Sequence, residues 1–205
     1  MKISLDHISK RFQRHWIFKD ISYTFTAPGA YALLGPNGSG KSTLLRVISG
    51  MQSASIGKVN YTLNETSLES NKVFGHLSFC APGQEIVEEL TLREFLIFHF
   101  SFKKPLQGFT VDKIIAETGL QAAADKPIGD YSSGMKQRVK LTQAIFSDTP
   151  VLLLDEPCTN LDQQGVDQYR DWMDRYGKDR LIIVASNDVR EYYFCREQLD
   201  IENYK

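Results

Sequence analysis

The sequence predicts an α/β fold with a largely parallel sheet, and three observations support this. Short apolar runs that suit buried strands alternate with amphipathic segments that suit helices. Residues 35–42 carry a glycine-rich phosphate-loop pattern between an apolar run and a helical segment. The apolar run 151–154 ends in two adjacent carboxylates. Together these features indicate a P-loop nucleoside triphosphatase fold.

The amino-terminal part of the chain is predicted to contain short strands around the phosphate loop. Tyr23–Thr26 is β-like and ends at a Pro-Gly turn, and the apolar run Tyr31–Leu34 leads into the loop. Thr43–Ile48 has helical character. The polar stretch 52–72 suits short strands and loops, and Val73–Cys80 is expected to be a buried strand.

The remainder alternates between predicted helices and buried strands. Thr91, with an acid three residues later, is a helix-entry signal. The aromatic run Phe95–Phe102 suits either the core of a small helical subdomain or an exposed groove for a partner's helix. Val111–Ala124 and Gly165–Tyr176 are predicted helices, and Leu181–Ala185 is a predicted strand.

The phosphate loop is the strongest single motif. Gly35-Pro36-Asn37-Gly38-Ser39-Gly40-Lys41-Ser42 fully matches the pattern G-x-x-x-x-G-K-[ST]. Its glycines allow backbone N–H groups to surround phosphate oxygens, and the following helix N-terminus adds partial positive charge. Lys41 is expected to reach the β- and γ-phosphates, and the Ser42 hydroxyl to ligate Mg²⁺. We therefore predict that residues 35–43, from Gly35 through Thr43, bind a nucleoside triphosphate.

Two carboxylates follow the buried run 151–154. A strand that ends in Asp155 places this charge at the carboxyl edge of the sheet, where parallel α/β folds bind ligands. Asp155 is expected to support Mg²⁺ directly or through water. Glu156, one residue further on, is expected to polarise the attacking water.

Composition narrows the possible partners. Lys plus Arg number 24 and Asp plus Glu 25, for a net charge of −1, and no basic block stands out. This balance disfavours nucleic-acid binding. The opening residues lack the apolar region of a signal peptide, and no apolar run approaches the roughly 20 residues that span a bilayer. Three widely spaced cysteines suit reduced thiols. We therefore expect a cytoplasmic protein that reaches a membrane only through a partner.

Further motifs carry a family resemblance. Tyr131–Arg138 reads Y-S-S-G-M-K-Q-R, similar to the signature L-S-G-G-Q followed by x-Q-R, and 160–162 reads N-L-D, like a D-loop. Phe12 lies 29 residues before Lys41, a position where the same family has an aromatic residue. In this order and spacing, the chain resembles the ATP-hydrolysing subunit of ATP-binding cassette (ABC) transporters over nearly its whole length. Its compact single cassette is similar to small export-type members, including heme-exporter-like ones.

The resemblance implies a division of the fold. The chain would form a single ABC ATPase domain, 1–205. Its RecA-like core and small β subdomain would occupy about 1–89 and 136–205, and its α-helical subdomain about 90–135.

The resemblance also implies site residues and partners. Phe12 would stack on the adenine of ATP, unless it is a core aromatic residue or Trp16 takes its place. Asp162 would contribute to nucleotide binding from the D-loop. Ser132, Ser133 and Gly134 would contact the ATP of a second ABC ATPase subunit, identical or different, in a head-to-tail dimer. An integral membrane permease subunit would hold this dimer at the inner face of the membrane and turn ATP hydrolysis into transport.

Three departures from the family pattern qualify these expectations. Ser133 and Met135 replace Gly and Gln in the signature, and Tyr131 replaces Leu. Pro82 stands where the family has the Q-loop glutamine, so Gln84, two residues later, is a candidate metal ligand. Asn187 stands at the switch position usually held by His, and an amide cannot accept and return a proton. We therefore count Asn187, Glu156 and Lys41 as catalytic candidates and expect slow turnover.

Two alternatives remain open at this point. One is a soluble ABC ATPase that acts in assembly or translation, although such members usually carry two cassettes or long coiled coils. The other is a nucleotide-gated binding module with little turnover, which the replacements at Pro82 and Asn187 suggest.

Overall fold

The computed structural model describes residues 1–205, which form two compact units. The first unit comprises residues 1–79, 149–156 and 177–205, and the second comprises 80–148 and 157–176. The predicted helical segment 90–135 lies within the second unit, which extends beyond it on both sides. No helix combines the length and apolar character needed to cross a membrane.

The chain forms nine strands and six α-helices. The strands are β1 (Lys2–Phe12), β2 (His15–Thr26), β3 (Gly29–Leu34), β4 (Ile56–Leu63), β5 (Thr66–Leu68), β6 (Leu77–Cys80), β7 (Val151–Asp155), β8 (Leu181–Ala185) and β9 (Glu197–Asp200). The helices are α1 (Lys41–Ile48), α2 (Leu92–Phe102), α3 (Val111–Thr118), α4 (Ser133–Ile145), α5 (Gln163–Tyr176) and α6 (Val189–Tyr192). Short 3-10 helices cover Ser70–His76, Gln121–Ala123, Ile128–Asp130 and Ile201–Tyr204.

A five-stranded sheet in the order β6-β7-β8-β3-β9 forms the centre of the first unit. β3 pairs in parallel with β8 and β9, and β7 pairs in parallel with β8, as the sequence predicts. Asp155 is the register partner of Ala185, which is also the partner of Leu33. The carboxyl ends of β3, β7 and β8 therefore meet at one edge of the sheet.

The second sheet of the first unit is antiparallel, in the order β2-β1-β4-β5. The β1–β2 hairpin contains three register shifts, so its side chains do not alternate regularly along its length. Phe18, Phe25 and Leu33 are fully buried in one core cluster with Leu153 and Ile183. This core joins both sheets to α1 and so supports the edge where β3 and β7 end.

The second unit is mainly helical. α2 begins with a capping box, because the Thr91 side chain accepts from the Glu94 N–H and the Glu94 carboxylate accepts from the Thr91 N–H. The Phe146 ring at the end of α4 packs edge-on against the fully buried Trp172 of α5, and the two ring centroids are 5.4 Å apart. The ring contact holds the carboxyl end of α4 against α5.

Two predicted elements are shorter in the structure. The predicted strand Val73–Cys80 is wrong in its first half, because Ser70–His76 forms a 3-10 helix and only Leu77–Cys80 is a strand. The predicted helix Val111–Ala124 ends at Thr118, because Gly119 adopts a left-handed φ of 69° that terminates α3. Val73 and Ala124 are both buried, yet Val73 is not in the predicted strand and Ala124 is not in the predicted helix. Apolar character therefore predicted their burial but not their secondary structure.

Candidate functional site

The phosphate loop lies between β3 and α1, and two of its three glycines, Gly35 and Gly40, are required by close contacts. Gly40 has a φ of 107°, and a Cβ there would lie 2.4 Å from Cγ2 of Ile17. At Gly35, with a φ of 134°, a Cβ would lie 2.7 Å from the Ser39 Oγ. Neither position accepts a side chain without movement of its neighbours. The path of the loop backbone therefore depends on glycine at both positions.

Lys41 is the first residue of α1 and is buried. Only 5% of its surface is exposed, and its Nζ donates to the carbonyl oxygens of Gly35 at 2.7 Å and Pro36 at 3.2 Å. A buried ammonium needs such partners, because its desolvation is costly. The loop therefore holds a positive charge at the helix N-terminus, where anions bind.

Ser42 and Asp155 bring the two sequence motifs together. The Ser42 Oγ donates to Asp155 Oδ1 at 2.8 Å, and Asp155 is 4% exposed. Burial raises the pKa of the Asp155 carboxyl above its ordinary value, whereas the Ser42 hydrogen bond opposes that rise. Two oxygen ligands thus lie side by side at the carboxyl edge of the sheet, the type of group that Mg²⁺ prefers.

Glu156 follows β7 and lines the same cavity as the phosphate loop. Its backbone N–H donates to the Ala185 carbonyl at 2.9 Å, and its φ of 41° is uncommon for a residue with a side chain. The cavity has a volume of about 200 Å³ and is also lined by Ile17 and by residues of the loop and of the first turn of α1. Glu156 is thus a carboxylate next to a phosphate-binding loop.

Asn187 lies after β8, beside the loop. Its Nδ2 donates to the Asn37 Oδ1 at 3.3 Å, and its side chain is exposed. The next residue, Asp188, caps α6 by accepting from the Arg190 N–H at 2.9 Å. The structure therefore brings Asn187 to the loop, as expected for the predicted switch position.

The signature segment opens α4 in the second unit. Ser132 caps the helix by accepting from the Met135 N–H at 3.3 Å, while Ser133 is exposed. A Cβ at Gly134 would lie 2.9 Å from the Asn160 carbonyl oxygen, so the helix start and the segment after β7 are in close contact. Together with Asp162, these residues line a cavity of about 340 Å³.

Asp162 makes contacts within its own unit. Its Oδ1 accepts from the Gly165 N–H at 2.8 Å and from the Arg138 Nη2 at 3.1 Å. The Gly165 hydrogen bond, followed by the Arg138 bond and charge, lowers the pKa of Asp162 below its ordinary value. The carboxylate therefore links the start of α5 to α4, and its predicted role in nucleotide binding stays a prediction.

Gln84 also belongs to the second unit. Its Oε1 is buried and has no hydrogen-bond partner, beside a cavity of about 420 Å³ that is also lined by Pro82, Lys136 and Lys140. The Lys140 Nζ donates to the Pro82 carbonyl. Ser42 and Asp155 lie in the first unit, so the role of Gln84 as a metal ligand stays a prediction.

Sequence reasoning missed Ile17 and Lys205. Phe12, the predicted adenine-stacking residue, is 46% exposed and does not line the loop cavity, whereas Ile17 does. Lys205 donates from its Nζ to the Ser39 carbonyl at 2.6 Å and to the Ile17 carbonyl at 3.1 Å. No local motif marks either residue, because both contacts join segments that are distant in sequence.

Comparisons with known proteins identify the family of this chain. The profile of the family described as ABC transporter matches residues 18–159. The ABC transporter ATP-binding protein YhcH of Bacillus subtilis is 30% identical, covering 97% of this chain and 66% of its own length. The cytochrome c biogenesis ATP-binding export protein CcmA of Yersinia pseudotuberculosis is 34% identical over 73% of this chain and 69% of its own. The chain spans 66% and 69% of the lengths of these two relatives, and 52% of the length of the Nod factor export ATP-binding protein I of Rhizobium johnstonii.

A solved structure shows the same fold. The dimeric ATP-binding cassette MJ0796, bound to ADP and Pi, superimposes with a TM-score of 0.78 at 18% identity, covering 97% of this chain and 94% of that one. This likeness supports the α/β P-loop architecture, and the family match covers most of the chain, including the phosphate loop and the Asp155–Glu156 pair. The chain belongs to the ABC transporter family.

Proposed function

We propose that this chain binds and hydrolyses ATP as the nucleotide-binding subunit of an ABC transporter. The observation that carries the proposal is the Ser42–Asp155 hydrogen bond of 2.8 Å, next to the buried Lys41 of the phosphate loop. It joins the two motifs that a P-loop ATPase needs for triphosphate and metal at one sheet edge.

The residues present fit a bound Mg²⁺. Ser42 and Asp155 offer a hydroxyl and a carboxylate oxygen, both hard ligands, at the end of a rigid parallel sheet. When bound, the ion would neutralise charge on the phosphates of ATP. Because burial disfavours the charged form of Asp155, a cation there would also stabilise its ionised carboxylate.

The remaining residues have distinct proposed roles. Lys41 would give up its hydrogen bonds to the loop carbonyls and donate to the terminal phosphates of ATP instead, which is a charge-assisted contact. Glu156 would orient and polarise the attacking water, and Asn187, whose Nδ2 contacts Asn37 of the loop, would hold the γ-phosphate. The loop residues 35–43 would supply backbone N–H groups, and Phe12 would contact the base.

The signature cavity would act on a second subunit. Ser132, Ser133 and Gly134 open a helix N-terminus, where hydroxyl and backbone donors suit phosphate oxygens. MJ0796, bound to ADP and Pi, is dimeric, which supports an ATP-sandwich dimer for this chain as well. The second subunit would be another copy or a related ABC ATPase.

A membrane permease would be the other partner. Ile97, Phe98 and Phe102 on α2 are 56%, 53% and 73% exposed, and the last two rings contact each other edge-on. Such an apolar helix face suits a short helix of another protein. The permease would hold the dimer at the cytoplasmic face of the membrane and bind the transported compound.

MgATP titration of the wild type and of Lys41→Ala tests the nucleotide site. We expect Lys41→Ala to weaken ATP binding about tenfold or more, because it removes a charge-assisted contact worth on the order of 1.4 kcal/mol or above. Lys58→Ala, at an exposed lysine of β4, is the matched control and should bind as the wild type does. Equal ATP affinity in Lys41→Ala and the wild type would reject the phosphate-loop assignment.

A nucleotide-gated module with little turnover is the second candidate, because Asn187 stands where an imidazole would assist catalysis. Phosphate release measured on the chain alone and with its permease distinguishes the two. ATP-dependent association without phosphate release in either state would favour the module.

A further inference from the structure

The last residue of the described chain contacts the phosphate loop. The Lys205 Nζ donates to the Ser39 carbonyl at 2.6 Å and to the Ile17 carbonyl at 3.1 Å. It follows the 3-10 helix Ile201–Tyr204, which begins where the Asp200 carboxylate accepts from the Glu202 N–H at 2.9 Å. A capped helical turn therefore delivers an ammonium group to two backbone carbonyls.

Both carbonyls belong to the edge of the nucleotide cavity. Ile17 lines that cavity, and Ser39 is in the phosphate loop directly before Gly40, which lines it too. In the β1–β2 register, Lys10 pairs with Phe18 and Arg11 with Trp16, so Ile17 is the extra residue of a β-bulge. Lys205 thus joins a bulged strand to the loop.

Peptide geometry gives this contact a consequence for the ligand. The Ser39 carbonyl and the Gly40 N–H belong to one planar trans peptide group, so they point in opposite directions. A hydrogen bond that fixes the carbonyl toward Lys205 also fixes the direction of the Gly40 N–H. Gly40 is the N-cap of α1, so this N–H belongs to the donor group that faces an anion at the helix N-terminus.

The Ser39 side chain does not itself fix the orientation of the Ser39–Gly40 peptide. The Ser39 Oγ is buried and has no hydrogen-bond partner, and the residue is 3% exposed. Its N–H donates to the Pro36 carbonyl at 3.0 Å, which closes the turn but leaves the next peptide to be oriented. Lys205 supplies that orientation from outside the loop.

We propose that Lys205 is a positioning residue for the phosphate cradle, which holds the Ser39–Gly40 peptide so that its N–H is directed toward a bound phosphate. The proposal rests on the proposed ATP site and assigns it a determinant outside the family's motifs. Lys205 acts through the peptide group and not by contact with the nucleotide.

The test compares MgATP dissociation constants of the wild type, Lys205→Met and Lys205→Arg by calorimetry. Lys205→Met keeps the aliphatic chain but removes the donor, so we expect binding about three- to tenfold weaker. Lys205→Arg restores a cationic donor and should recover most of the affinity. Lys58→Met, at an exposed lysine of β4, should match the wild type.

A second readout separates positioning from general destabilisation. In nucleotide-free ¹⁵N-labelled protein, Lys205→Met should shift the Gly40 amide resonance while the thermal midpoint stays that of the wild type. Wild-type affinity in Lys205→Met, or a lower thermal midpoint with an unshifted Gly40 resonance, would overturn the proposal. If the wild type itself does not bind MgATP, the proposed function fails instead, so the two failures are distinguishable.

Discussion

Replacement of Asn187 tests how this chain would hydrolyse ATP without a histidine at the switch position. Asn187 lies beside the phosphate loop, and its Nδ2 donates to the Asn37 Oδ1 at 3.3 Å. An amide can donate a hydrogen bond to a terminal phosphate but cannot take up and return a proton, as imidazole can. We therefore expect slow hydrolysis by the wild type, faster hydrolysis by Asn187→His and slower hydrolysis by Asn187→Ala.

The structure sets the size of each effect. The Asn187 side chain is exposed, and Asn187→Ala removes the one hydrogen bond that its amide would give to a terminal phosphate, which should cost about 0.5–1 kcal/mol, a two- to fivefold slower rate. General acid–base assistance is typically worth about a hundredfold or more. Glu156 would supply part of it in the proposed mechanism, so Asn187→His should hydrolyse ATP about tenfold faster or more. ATP affinity should change little, because in the proposed site Lys41 and the loop would provide most of the phosphate contacts.

Single-turnover hydrolysis at saturating MgATP measures the chemical step directly. Asn71→His, at an exposed position of the 3-10 helix before β6, controls for the addition of a histidine to the first unit. If Asn187→Ala hydrolyses ATP at the wild-type rate and Asn187→His is no faster, Asn187 does not take part in hydrolysis and the switch assignment is wrong.

Two further predictions concern dimer formation and pH. Glu156→Gln should keep ATP bound, stop hydrolysis and accumulate an ATP-dependent dimer in sedimentation. Adding Gly134→Asp, whose Cβ would lie 2.9 Å from the Asn160 carbonyl oxygen, should abolish that dimer. A dimer that persists in the double variant would exclude the signature cavity from the dimer interface. Burial lowers the pKa of His99 to about 4, so the folded state binds fewer protons than the unfolded state between about pH 4 and 6.5. The free energy of unfolding therefore decreases as the pH falls through that window, by on the order of 1–3 kcal/mol. His99→Gln, unfolded by urea at pH 7 and 4.5, should lose that part of the pH dependence, and an unchanged dependence would contradict it.

The sequence predicted the elements whose signal is local. The P-loop pattern, the buried strands 151–155 and 181–185 and the Thr91 capping box depend on a few consecutive residues, and all are present in the structure. The alternation of strands and helices also predicted the parallel sheet, because a parallel pair needs a crossover connection. Local signals therefore sufficed to predict the element order around the phosphate loop and the strand that ends in Asp155.

Element ends and unit boundaries were harder to predict. Val73 is buried and apolar, yet it lies in a 3-10 helix, because burial by itself does not distinguish a strand from a tight helical turn. The second unit combines 80–148 with 157–176, and the intervening segment 149–156 belongs to the first. Contacts between segments far apart in sequence decide such a division, and no short window contains them.

The β1–β2 hairpin shows why the place of Ile17 in the cavity lining escaped prediction. In a regular strand, side chains alternate between faces, so Phe12, Trp16 and Ile17 could be assigned to faces by counting. A bulge inserts one residue, reverses the alternation beyond it and redirects a side chain, and here the inserted residue is Ile17. The bulge places the Ile17 side chain at the cavity and its carbonyl at Lys205, whereas Phe12, paired with His15 near the turn, stays 46% exposed. A one-residue register shift, which hydrophobic periodicity does not reveal, thus decides that Ile17 and not Phe12 lines the phosphate-loop cavity.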